Sequence, residues 1–126
     1  MHALVITFVL ATLTSLPAFA QDVAAGARSW NKCRACHQVG ENARNGVGPQ
    51  LNGLFGRMSG TADGYNYSAA SKAAGFVWDD KTFAAFIENP RENMRGTKMI
   101  FAGIKNPQEI SDLIAYLTQF GISDAP

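Results

Sequence analysis

The chain has 126 residues and a formal net charge of +1, from 11 Lys and Arg against 10 Asp and Glu. That length builds one small core and not two. The charge balance argues against a nucleic-acid-binding domain, and two cysteines exclude a disulfide-rich scaffold.

Residues 1–20 contain no Lys, Arg, Asp or Glu, and the apolar run Leu4 to Leu16 is broken only by threonines and one serine. It ends at Pro17-Ala18-Phe19-Ala20, an A-x-A pattern that predicts a secretory signal cleaved before Gln21. The run is shorter than the roughly 20 residues that span a bilayer, so a retained anchor is the weaker reading. Residues 21–126 then form a single domain. Within it His37 is the only histidine, and Met58, Met94 and Met99 are the only methionines.

Asp22 is the expected N-cap of a first helix over Val23 to about Lys32. The helix leads into Cys33-Arg34-Ala35-Cys36-His37, a C-x-x-C-H haem-attachment signal. Residues three apart on one helical turn share a face. Two thiols at that spacing reach the two vinyl groups of one porphyrin, and the adjoining imidazole reaches the iron. A Cys33–Cys36 disulfide would close a very small loop and stabilise little. A thioredoxin-like pair needs a βαβ framework that the sequence lacks, and a tetrahedral zinc site would be one ligand short.

Residues 38–67 are rich in Gly and Asn, show no sustained period, and read as an ordered loop. A loop of that length is unusual in a compact domain unless it packs on a large cofactor. Ser68 to Ala74 suggests a short helix. Asp79 is the next expected N-cap, with Phe83, Phe86 and Ile87 on one helical face and Pro90 ending the helix. The last helix has Asn106 as cap, Pro107 at its first position, Glu109 in a capping-box position and Gly121 as the stop. Its apolar face is Ile110, Leu113, Ile114 and Leu117. No segment alternates as a strand does, so the expected fold is all-α with long loops.

A haem iron held by His37 needs a sixth ligand or a substrate, and no second histidine remains. Met99, in the glycine-started loop Gly96-Thr97-Lys98-Met99, is the best-placed candidate. Met58 and Met94 read as filler or surface. A lone Met is usually core filler, and the residues alone leave both roles open for Met99.

Taken together, residues 22–120 resemble the class I c-type cytochromes, in particular the bacterial cytochromes c2 and their mitochondrial relatives. The motifs that carry the resemblance are Cys33-Arg34-Ala35-Cys36-His37, Val47 to Arg57, Tyr67, Trp78, Glu88-Asn89-Pro90, Gly96 to Ile104 and Asp112 to Leu117. The resemblance implies one haem c bound covalently through Cys33 and Cys36, with His37 and Met99 as axial ligands. It implies that the Pro49 carbonyl accepts from His37 Nδ1–H. It places Arg57, Tyr67 and Trp78 at one haem propionate, and Ser68 and Thr97 near the other. It also implies a close crossing of the first and last helices at Gly26 and Tyr116. Three positions depart from the mitochondrial pattern: Phe86 for a tyrosine, Arg95 for a proline and Ser71 for an asparagine.

The function implied is a soluble periplasmic electron carrier, monomeric and not an enzyme, with no nucleic-acid partner and no stable membrane insertion. Its partners would be complexes such as a bc1 complex, a terminal oxidase, a photosynthetic reaction centre or a periplasmic dehydrogenase. A peroxidase-like enzyme would need an open iron and a distal acid–base group, for which no histidine remains. A gas sensor would need Met99 to be displaceable. Charge is segregated along the chain: residues 21–60 and 91–105 each carry net +3, residues 61–90 net −2 and residues 106–126 net −3. In the family's fold this puts Lys32, Arg44, Arg91, Arg95, Lys98 and Lys105 around the exposed haem edge as docking residues.

Overall fold

A computed structural model describes residues 20–121. The expected secretory segment falls almost wholly on residues 1–19, outside the described residues. Five helices follow in chain order: α1 (Val23–Trp30), α2 (Ala69–Ala73), α3 (Asp80–Glu88), α4 (Pro90–Asn93) and α5 (Pro107–Thr118). The only strand-like pairing among the described residues is an isolated antiparallel bridge between Met58 and Val77. None of the helices described is long and apolar enough to cross a membrane.

The helix starts follow from local capping chemistry. The carboxylate of Asp22 accepts from the Ala25 amide, and Ser68 Oγ accepts from that of Ser71. Asp79 and Thr82 form a reciprocal capping box, and Asn106 Oδ1 accepts from the amides of Gln108 and Glu109. Each satisfies backbone donors that a helix start otherwise leaves unpaired.

Pro90 ends the preceding helix as expected, α3 stopping at Glu88, and it also takes the first position of α4, where its missing N–H is no loss. Two expectations are corrected. Glu109 does not close a capping box on Asn106, because its carboxylate accepts from Ser29 Oγ at 2.8 Å and pairs with the Lys32 ammonium. Gly121 is not the stop of α5. The helix ends at Thr118, the amides of Gln119 and Phe120 close the last turn, and the Phe120 carbonyl accepts from Gly53 N at 2.6 Å.

The frame of the molecule is the crossing of α1 over α5. A Cβ on Gly26 would lie 2.0 Å from the Asp112 carbonyl oxygen and 2.7 Å from Tyr116 Cβ, so only glycine permits this approach. Asp112, 6% exposed, locks it by accepting from the Asp22 amide and from Gln108 Nε2, both at 2.9 Å. The core spreads from there through Trp30, Phe83, Ile87, Leu113 and Leu117, with Leu113 fully buried. Long loops from residue 38 onward wrap the remaining face and enclose a cavity.

Candidate functional site

The C-x-x-C-H segment continues α1 as a series of tight turns. The Trp30 carbonyl accepts from the amides of Cys33 and Arg34, and the Cys33 carbonyl from those of Cys36 and His37. This places Cys33, Cys36 and His37 together on one wall of a cavity of about 370 Å³, a size typical of ligand sites. Cys33 is half-buried, Cys36 is exposed, and no disulfide joins them. Burial pushes the Cys33 thiol up to about 11, against the pull of Lys32. A redox-active C-x-x-C pair needs the opposite shift, toward the thiolate.

His37 is set by three neighbours. Its Nδ1 lies 2.7 Å from the Pro49 carbonyl oxygen, an acceptor only, so Nδ1 carries the proton and Nε2 keeps its lone pair. Burial lowers its proton affinity, the Pro49 contact raises it, and Arg57 lowers it again. Gly48 leaves room for the ring: a Cβ there would lie 2.4 Å from His37 Cε1.

Met99 lines the same cavity and packs against the hydrophobic core. Its amide donates to Thr97 Oγ1 at 3.3 Å, and Gly96, at φ +91°, makes the turn that precedes it. The remaining wall is mostly apolar and includes Leu51, Leu54 and Phe86. Phe86 stacks edge-on to Trp78, with ring centroids 5.2 Å apart.

A cluster of donors interrupts this apolar lining. Arg57 donates to the carbonyls of Asn52 and Gln50 at 3.3 and 3.1 Å and forms no ion pair among the described residues. Burial lowers its proton affinity and the Tyr67 phenol opposes this. Trp78 is held beside it, its amide donating to the Arg57 carbonyl at 2.9 Å. Tyr67 accepts from the Ala62 amide at 2.9 Å, which leaves its own proton to give. A guanidinium, a phenol and an indole on one cavity are the complement of a carboxylate. An apolar disc bearing carboxylates, two thiol-reactive groups and a metal that accepts nitrogen and sulfur donors therefore fits this lining. That is the description of a haem.

The chain belongs to the cytochrome c family. The Cytochrome c family model matches residues 23–120. The chain is 60% identical over 101 residues to a cytochrome c2 of Rhodoplanes tepidamans, covering 80% of this chain and 94% of that one. It is 51% identical over 113 residues to a cytochrome c2 of Blastochloris viridis, covering 90% and 88%. Among solved structures, cytochrome c2 from Rhodospirillum centenum superposes with a TM-score of 0.75 at 38% identity, covering 79% of this chain and 98% of that one. Cytochrome cH from Methylobacterium extorquens gives 0.73 at 41% identity, covering 78% and 98%. The protein is accordingly an electron carrier of the class I cytochrome fold with one covalent haem c, and not an enzyme.

The structure brings all ten residues expected at the cofactor to this cavity: Cys33, Cys36, His37, Pro49, Arg57, Tyr67, Ser68, Trp78, Thr97 and Met99. Ser68 Oγ is occupied as the cap of α2 and pairs with Ser71 Oγ at 2.9 Å. Of the docking residues, only Lys32 and Lys98 line the cavity, while Arg44, Arg91, Arg95 and Lys105 are exposed outside the lining. Lys32 is paired with Glu109, and the ammonium groups of Lys98 and Lys105 donate to the carbonyls of Asn66 and Glu88. Met58 is at the surface, as expected, at 44% exposure. Met94 is buried, but in the cavity wall, where it accepts from Ser71 Oγ. Its signal was faint, because it follows a helix of one turn that only Pro90 announces.

Proposed function

We propose that this protein carries one electron at a time on a haem c ligated by His37 and Met99, between redox complexes of the bacterial periplasm. The observation that carries the reading is the convergence of Cys33, Cys36, His37 and Met99 on one largely apolar cavity. The haem supplies the ferric–ferrous couple; the chain supplies attachment, ligation and burial. Cys33 and Cys36 hold it through thioethers. The Pro49 carbonyl orients the His37 ring and fixes Nε2 as the ligating atom. Met99 would supply the soft donor, a choice that favours the ferrous state. The Arg57 guanidinium would offset the charge of one propionate, with Tyr67 and Trp78 as its neutral hydrogen-bond donors, and Ser68 and Thr97 would lie near the other.

The rim of the cavity is the exchange surface. Val47 and Ile100, 75% and 97% exposed, present apolar contact there beside Lys32 and Lys98. Arg44, Arg91, Arg95 and Lys105 extend the positive field, which suits an acidic partner such as a bc1 complex, a terminal oxidase, a photosynthetic reaction centre or a periplasmic dehydrogenase. The segment 1–20 directs export, and residues 21–126 are the working domain.

The test is spectroscopic. The purified ferric protein shows the absorption band of thioether–iron ligation, the haem resists extraction by acidified organic solvent, and Met94→Leu keeps the band. Absence of the band in the wild type overturns His37/Met99 ligation.

A further inference from the structure

The cavity has two thioethers in its wall, Met94 and Met99, separated by one tight turn. The Thr97 amide donates to the Met94 carbonyl at 3.0 Å, and Gly96 turns the chain at φ +91°. Met94 is 7% exposed, and its sulfur accepts from Ser71 Oγ at 3.3 Å. Ser71 is itself tethered, its carbonyl accepting from Ser59 Oγ at 3.0 Å and its hydroxyl pairing with Ser68 Oγ at 2.9 Å.

We propose that Met94 is a reserve axial ligand, held off the iron by Ser71 and able to take the sixth position when Met99 leaves it. The inference rests on the reading of His37 and Met99 as the working ligands. Its chemistry is that of the ligand it replaces, a soft thioether. A thioether has no proton to lose before it binds, whereas a lysine ammonium does. A methionine sulfur is a weak acceptor, so its bond to Ser71 is easily given up. Ser71 Oγ keeps Ser68 Oγ as partner, so release of Met94 leaves no buried hydroxyl unpaired. The side chain is unbranched with three rotatable bonds, and Gly96 tolerates the backbone adjustment. Met99 holds the position in the native state because it packs on the hydrophobic core, which Met94 does not. Ser71 thus parks Met94 by a weak contact, while the packing of Met99 decides which of two chemically equivalent donors ligates.

The experiment compares the haem-loaded wild type, Met94→Leu, Met99→Leu and the double variant at neutral and mildly acidic pH, where lysine amines stay protonated. The readouts are the ferric thioether–iron band and the upfield ligand-methyl proton resonance of the ferrous protein. Met99→Leu retains both signals at shifted positions, and Met99→Leu with Met94→Leu loses both. Loss of the signals in Met99→Leu alone, or their survival in the double variant, overturns the proposal. Their absence from the wild type defeats instead the ligand reading on which it rests. If Met99→Leu does not fold, Met99→Ala, whose side chain likewise carries no donor, takes its place in the same comparison, and loss of both signals in Met99→Ala alone overturns the proposal.

Discussion

His37 Nδ1 and the Pro49 carbonyl oxygen lie 2.7 Å apart, a contact that spans 12 residues of chain and fixes the imidazole before any metal is considered. Gly48 makes it possible by leaving open the space in which the ring sits. Gly48→Ala would put a methyl 2.4 Å from His37 Cε1. The ring must turn or the loop must shift, at a cost of about 1–3 kcal/mol for overpacking. Denaturant unfolding of the holoprotein will show a lowered midpoint, and the spectral signature of axial ligation will weaken with it. An unchanged midpoint and spectrum would show that the loop adjusts freely.

The α1–α5 crossing predicts a larger loss. In Gly26→Ala the new methyl meets the Asp112 carbonyl at 2.0 Å, and backbone cannot yield as a side-chain end can. The helices must separate, which also strains the bond from the Asp22 amide to Asp112. The expected destabilisation exceeds the usual overpacking range of about 1–3 kcal/mol, with Tm falling accordingly. Ala at the exposed Gly121, whose Cβ would meet no atom within 4 Å, is the control without a clash.

Glu109 contributes a pH dependence of known sign. The Lys32 side-chain hydrogen bond first, then that of Ser29, holds its carboxyl below its ordinary value of 4.5, while burial opposes them. The unfolded chain therefore binds the proton more readily in the window below that value. The stabilisation is fully present above pH 4.5 and is lost as pH falls through the lowered folded value. Both side chains are partly exposed, so the amount is at most about 1 kcal/mol. Glu109→Gln will lower Tm at neutral pH and flatten its decline in acid. Parallel curves for the two proteins would remove Glu109 from the acid response.

Partner docking through the cavity rim predicts a steep salt dependence. The Debye length shrinks from about 10 Å at 0.1 M salt to about 3 Å at 1 M. The second-order rate of electron transfer to a membrane partner will fall over that range. Charge reversal at Lys98, in the cavity lining, or at Arg91, in the net-positive segment 91–105, will slow it more than reversal at Lys72 or Lys81, in the net-negative segment 61–90. Equal losses at all four positions would show that this face does not steer the encounter.

What was legible in the sequence is what short-range chemistry decides. Asp22, Asp79 and Asn106 cap the helices that follow them, because a cap serves amides only two or three residues away. The C-x-x-C-H motif and the apolar face of α5 are local for the same reason. Partners distant along the chain were decided by the fold. Glu109 had two uses for its carboxylate, a nearby backbone amide or whatever the tertiary structure brought within reach. α1 brought Ser29 and Lys32, some 80 residues away, and a charge-assisted bond to an ammonium outcompetes a neutral amide. The adjacency of Arg57 and Trp78 arises from the bridge between residues 58 and 77, which no strand pattern announces. The same holds for Met94: side-chain volume and apolarity fit a core filler anywhere, and only the path of α4 puts its sulfur in the wall that Met99 shares.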